Sequence, residues 1–411
     1  MSRSLDILIL RLLFYDNYFM VMKIMFIFAA VKRIKSMKNP FVTNGYAGGA
    51  YFCDRVTETD DIRSLLMNEN NIALISPRRI GKTDLIYHVF DDDQIRGQYH
   101  CFVVDIYATK SLGDFVNMLG KAVVDALRPK GRTVWERFIG AVGSLRSEIS
   151  FDINGMPVWG VGLGEIRNPT VTLDEIFSYF DQADKPCLVA IDEFQQITKY
   201  GDSTVEATIR TYVQRCTNAH FIFSGSQRHL MDGMFTSPSR PFYQAVTVIN
   251  LQPLSLDKYA EFVTCKFEEA GKHVAPDVVT SLYERFDAVT SYMHRTLNVL
   301  FSRTELGETC TVQMVDEAID YILRLSSDTY EALFYQMPEK QRALFLAIAR
   351  AGKARELTSA AFIKTNRLLS ASSVASAVKG LLDKDFITFD KGAYSAYDQF
   401  FVLWLKHKEL T

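Results

Sequence analysis

The stretch NIALISPRRIGKTDLIYHVF, residues 71–90, decides the fold. Ile72 to Ile75 form an apolar run of strand length with no alternation, the pattern of a strand covered on both faces. A short loop follows, and Gly81-Lys82-Thr83 opens a segment with Leu85, Ile86 and Val89 on one side, which reads as a helix. A strand, a loop ending in Gly-Lys-Thr and a helix make a phosphate cradle. Successive backbone N–H groups and the helix N-terminus face the anion, and a lysine reaches its oxygens. In this reading the cradle is Ser76-Pro77-Arg78-Arg79-Ile80-Gly81-Lys82-Thr83, with Asp84 just inside the helix. Gly81 allows the close backbone approach, Lys82 carries the charge and the Thr83 hydroxyl is a magnesium ligand. The pattern G-x-x-x-x-G-K-[ST] asks for glycine where Ser76 stands. Serine is tolerable there as long as its backbone stays in the ordinary allowed regions.

The second half of the site is CLVAIDEFQQI, beginning at Cys187: an apolar strand ending in Asp192-Glu193. Asp192 would hold Mg²⁺ through water, and Glu193 would orient and polarise the attacking water. A strand ending in two carboxylates is common by itself. Downstream of a Gly-Lys-Thr loop, with helices between, it completes a site for ATP and Mg²⁺.

Around these motifs, apolar runs alternate with helical patterns. HCFVVDIYA, PCLVAIDEF, AHFIFSGS and AVTVINLQPL read as strands, and SLGDFVNMLGKAVVDAL, TLDEIFSYFDQA and STVEATIRTYVQRC as helices. That alternation specifies an α/β fold with a parallel sheet covered on both faces. Thr57 or Thr59 is expected to cap the helix ahead of the first strand. Residues 144–165 alternate and turn at Asn154-Gly155, the signature of an inserted β-hairpin that packs on the core or on a partner, with a ligand contact through Trp159 as the alternative. From Ser255 to about Ser326 the pattern is all-helical. The last segment reads as a winged helix-turn-helix, with helices from Glu339, Ser359 and Ser372 and a wing around Lys391-Gly392. The expected division is an extension over 1–36, a P-loop core over 37–254, a helical lid over 255–327 and a winged helix over 328–411.

Composition limits the rest. The 411 residues are 48% hydrophobic and 23% charged, and 46 basic against 48 acidic residues leave a net charge of −2. No global field attracts nucleic acid, so DNA contact needs a local patch. The third helix of the winged segment offers only Lys379 and Lys384 beside Ser372, Ser373 and Ser376, with Lys353, Arg355, Lys364 and Arg367 nearby. DNA and a protein partner therefore stand side by side as occupants of that domain. Six widely spaced cysteines make neither a zinc site nor a disulfide framework, which suits a reducing cytoplasm. The N-terminal run from Ile7 to Lys35 reads either as a membrane anchor over residues 5–31 or as sequence upstream of a start at Met37. Arg11, Asp16 and Lys23 inside it favour the second.

The chain resembles the prokaryotic group often called archaeal-type ATPases, in the STAND branch near the AAA+ enzymes and origin-recognition proteins. The carrying residues are NPF at 39–41, YFCDR at 51–55, SPRRIGKT at 76–83, LVAIDEFQQI at 188–197, FIFSGSQRHLM at 221–231, LQPLSLDKYAEF at 251–262 and YSAYDQFFVLWL at 394–405. The resemblance implies that Phe52 to Arg55 leads into the nucleotide fold and borders the adenine. It implies that Ser226, rather than Ser224, senses the γ-phosphate, and that Arg240 is an arginine finger or a phosphate contact. An arginine finger acting in trans would need homo-oligomers. The lid segment TSYMHRTLNVLF lacks the family's proline, which leaves a sensor role for His294 or Arg295 open. The expected activity is slow hydrolysis of ATP to ADP and phosphate, with Lys82, Glu193, Ser226 and Arg240 as catalytic residues. It would drive a switch that moves the winged helix. The alternative is a winged-helix DNA binder that uses nucleotide only to hold its shape.

Overall fold

The structure is a computed structural model and describes residues 38–130, 132–144, 149–152, 155–159 and 166–410. The N-terminal apolar run and Asn154 lie outside the described residues. Among the described residues no helix is long and apolar enough to cross a membrane.

Five strands form the central sheet: β1 (Ile72–Ile75), β2 (His100–Asp105), β5 (Cys187–Asp192), β6 (Ala219–Gly225) and β7 (Thr247–Asn250). All their pairings are parallel, in the order β2-β5-β6-β1-β7. The sheet is buried on both sides because alternate residues feed two separate apolar layers. Ala73, Ile75, Val189, Ile191, Phe221 and Phe223 face one, and Ile72, Leu74, Leu188, Ala190 and Ile222 face the other. This explains the near-continuous apolar runs in the sequence. The chain leaves β1 toward the far edge strand β2, whereas β7 pairs on the other side of β1. The loop after β1 thus sits at a switch in strand order, where open α/β sheets leave a crevice.

Between β2 and β5 lie the helices Leu112–Leu127 and Arg132–Ala141 and the antiparallel hairpin β3 (Ile149–Phe151) and β4 (Pro157–Trp159). Phe151 of this hairpin packs against Trp135 at a ring distance of 5.8 Å. The expected threonine cap before β1 is absent. The helix Val56–Met67 begins at Arg55 in a left-handed conformation (φ 68°) with no side-chain cap, and Thr59 is buried inside its second turn.

From Ser255 to Ser326 the chain is helical, apart from one short parallel pair that an all-helical reading missed: β8 (His273–Val274) beside β9 (Thr309–Cys310). Phe41 from the N-terminal strap is fully buried among Phe262, Phe267 and Phe301 of this layer. The helix Val312–Gln336 runs for 25 residues across the division expected at 327/328, so the lid and the winged helix share an unbroken element. The winged helix follows with helices Glu339–Ala351, Ala360–Thr365 and Ala371–Asp383, the wing β10 (Ile387–Asp390) and β11 (Ala393–Ala396), and a closing helix Gln399–Leu410. Ser359 and Ser370 cap the second and third helices through their side chains.

Candidate functional site

The site is built on the C-terminal ends of β1, β5 and β6. The phosphate loop leaves β1 at Ser76, which is fully buried and donates through Oγ to the Pro77 carbonyl at 2.9 Å. Ser76 is not among the residues with positive φ, so the position needs no glycine here. Gly81 does have positive φ (86°) and opens the helix Lys82–Phe90. Arg79 also has positive φ (64°), a conformation that costs a non-glycine residue energy and persists only where its surroundings hold it. Arg55 supplies part of that hold. It is 3% exposed and donates to the carbonyls of Ile80 (3.2 Å) and Gln252 (2.7 Å), stapling the loop to the exit of β7.

Lys82 bonds Asp192 directly; the two side chains are 7% and 8% exposed. Asp192 also accepts from Ser224 Oγ and Thr83 Oγ1, each at 2.5 Å, and from the Glu193 N–H at 2.9 Å. Burial would raise its pKa, but Lys82 and the hydroxyl donors outweigh burial and hold it below the usual carboxylate range. Glu193 sits in a left-handed turn (φ 57°), which lifts its side chain out of strand register. Its Oε2 accepts from Ser226 Oγ at 2.8 Å and from Gln195 Nε2 at 2.5 Å, and Lys82 Nζ lies 3.5 Å from Oε1. The two serines therefore divide the work: Ser224 holds Asp192, and Ser226 holds Glu193.

These groups open onto a cavity of about 600 Å³. Its inner end is the phosphate loop with Asp105, Asp192, Glu193 and Ser226. Its outer end lies between the strap residues Val42 to Cys53 and Leu254 with the lid residues Thr290 and His294. The His294 ring is held neutral, its pKa pushed down to about 4 by burial, with Nδ1 facing the Val42 carbonyl at 3.4 Å. Arg295 is directed elsewhere, to Ser326 (3.2 Å) and over the Phe400 ring. Arg240 does not line the cavity. It pairs with Glu206 on the helix Val205–Arg215, with Nε 3.3 Å from Oε1.

Mg²⁺ fits this donor set. Thr83 and Asp192 are already within hydrogen-bonding distance, Asp105 stands opposite Asp192 in strand register, and all the donors are oxygens. Burial, with Asp192 and Glu193 nearby, raises the Asp105 pKa, as expected of a carboxyl in a crowded acidic corner. Among the described residues no group of three His, Cys, Asp or Glu side chains could hold a metal by itself. Mg²⁺, which binds through one or two carboxylates plus substrate phosphates, does not need one.

Sequence reasoning missed the wall that the winged helix adds. Asp385 and Tyr397 line the cavity. Arg78 pairs with Asp385 at 2.8 Å and lies over the Tyr397 ring. Arg79 donates to the hydroxyls of Tyr292 (2.9 Å) and Tyr397 (3.2 Å) and stacks on both rings. The wing packs on the helix Arg228–Thr236 after β6, with Arg228 3.6 Å from Asp390 and His229 edge-on to Phe389. The Y-S-A-Y-D run at 394–398 was the available signal, but nothing in it tells what its second tyrosine faces.

A parallel sheet of this order, a Gly-Lys-Thr loop on β1, a paired Asp-Glu on β5 and a C-terminal winged helix define the P-loop fold of Walker-type ATPases. Comparison with known proteins agrees. A family model described as a probable winged helix domain matches residues 328–407. The structure is similar to the Walker-type ATPase paby2304 of Pyrococcus abyssi, with a TM-score of 0.60 and 16% identity over 89% of this chain and 99% of that one. It is also similar to the ORC2 protein of Aeropyrum pernix, solved as ADPNP–ADP complexes, with a TM-score of 0.52 and 11% identity over 92% and 99% of the two chains. At these identities the likeness is one of fold. Among curated proteins none matches the chain.

Proposed function

We propose that the protein binds ATP with Mg²⁺ and hydrolyses it slowly, and that nucleotide state sets the position of the winged helix. The observation that carries this reading is the convergence of Lys82, Thr83, Asp192 and Glu193 at the phosphate end of a cavity whose wall includes Asp385 and Tyr397 of the winged helix. Lys82, the loop N–H groups and the helix N-terminus would bind the phosphates. Thr83 and Asp192 would hold Mg²⁺, which when bound neutralises charge on the β- and γ-oxygens. Glu193 would orient water for attack on the γ-phosphorus, with Ser226 beside it.

A partner for the winged helix is part of the proposal. With the wing packed on the core, a duplex is offered the exposed residues Ser372, Ser376, Lys379 and Lys384 but not a free wing. This favours a protein partner, or DNA binding only after release, over a permanent DNA binder. Lys82→Ala should abolish ATP binding, while Glu193→Gln should keep binding and lose phosphate release. Equal loss of binding in both variants would overturn these roles.

A further inference from the structure

Three hydrogen-bonded links lead from the winged helix to the proposed catalytic carboxylate. Asp385, between the third helix and β10, pairs with Arg78 at 2.8 Å. Arg78 Nε donates to Ser226 Oγ at 3.1 Å, and the Ser226 hydroxyl donates to Glu193 Oε2 at 2.8 Å. The ends of this relay are fixed from the side. Tyr107, on the loop after β2, donates to Asp385 at 3.0 Å, and Gln195 donates to the same Glu193 oxygen at 2.5 Å.

A serine hydroxyl has one proton, and here Ser226 gives it to Glu193 while accepting from a guanidinium. The cation polarises the hydroxyl and strengthens its bond to the carboxylate. A carboxylate with one oxygen tied to two donors and the other facing Lys82 is a weaker acceptor for a water proton. Arg78 is 14% exposed and Asp385 26% exposed, so the pair at the head of the relay is partly screened and open to competition. A terminal phosphate offers a guanidinium more charge and two parallel acceptors, which one carboxylate oxygen does not match.

We infer that Asp385 is a positioning residue through which the docked winged helix restrains Glu193. While the winged helix is docked, Asp385 keeps Arg78 on Ser226 and Ser226 keeps Glu193 turned from the water. A terminal phosphate in the cradle draws Arg78 away, so that the winged helix and the carboxylate are released together. This rests on the ATP reading above and adds to it the groups that link the two halves of the switch.

The test uses the full chain as wild type, Asp385→Asn and Asp385→Glu, with Tyr107→Phe as a milder variant that loosens Asp385 without touching the phosphate loop. Hydrogen exchange of residues 385–397 without nucleotide reads docking; MgATP affinity and steady-state phosphate release read the site. Asp385→Asn should lose protection in that segment, bind ATP about two- to fivefold tighter, the span of a partly exposed ion pair, and show a higher kcat. Asp385→Glu should restore wild-type behaviour, and Tyr107→Phe should move in the same direction as the asparagine variant by less. Unchanged protection in Asp385→Asn, or lost protection with kcat at or below wild type, overturns the inference while ATP binding stands. Absence of ATP binding in the wild type overturns the ATP reading itself, and the relay loses its function with it.

Discussion

Lys82→Met tests the core of the site without any nucleotide. The substitution removes the ammonium from Asp192, which is 8% exposed. Breaking a buried pair by deleting one partner costs about 3–5 kcal/mol, because a charge is left uncompensated. Asp192 retains Ser224, Thr83 and the Glu193 N–H, which places the expected loss near the lower bound, about 3 kcal/mol. With a urea m-value of about 2–3 kcal/mol/M, that moves the unfolding midpoint of the P-loop core down by roughly 1 M or more. The Trp135 indole, buried in this core, reports the transition. Adding Asp192→Asn should recover much of the loss, because the buried charge is gone. The pH dependence has a definite sign. In the wild type the depressed Asp192 pKa contributes stability above about pH 4 that is lost as pH falls through its folded value. Without Lys82, burial is opposed less, the carboxyl protonates more readily, and the gap between variant and wild type should narrow on acidification. A Lys82→Met variant within 1 kcal/mol of wild type at pH 7, or a double variant whose losses simply add, would refute this reasoning.

Three further outcomes are expected. Arg55→Ala should lower core stability by about 1–3 kcal/mol in denaturant unfolding, since it unpairs the buried carbonyl of Ile80 and removes the half-buried bond to the Gln252 carbonyl; a loss under about 0.5 kcal/mol would mean the loop is held elsewhere. Gly225→Ala places a methyl group against Gln195 and Met231, so it should cost about 1–3 kcal/mol and disturb the Glu193 contact, lowering phosphate release more than ATP affinity. His294 is buried neutral with its pKa near 4 against an ordinary 6.5, so lid stability should fall as pH drops from 6.5 toward 4, by up to about 3 kcal/mol. His294→Phe should flatten that profile, and an unchanged profile would place the titration on another group.

The residues that set the fold were readable because their physics is local. Continuous apolar runs mark strands buried on both faces, and Gly-Lys-Thr after one such run with Asp-Glu ending another marks the strand ends that line the candidate site. The hairpin and the wing were readable from alternation and turn residues. What escaped depends on distant parts of the chain meeting. Asp385 and Tyr397 look like ordinary surface residues beside a wing, and only packing brings them to Arg78 and Arg79, some 300 positions away in sequence. Ser224 and Ser226 are both well placed in sequence, and only strand register shows that one serves Asp192 and the other Glu193. Arg55 reads as a helix leader yet works as a staple under the phosphate loop. Arg240 reads as an arginine finger or a phosphate contact, and its pairing with Glu206 is likewise not visible in the sequence.

The central claim is that the Ser76 loop binds ATP and that Glu193 turns it over. The direct measurement is paired: MgATP affinity and steady-state phosphate release for wild type and Glu193→Gln, side by side. The account predicts comparable binding in both and phosphate release only in the wild type. Absence of binding, or release that survives in the glutamine variant, would contradict it.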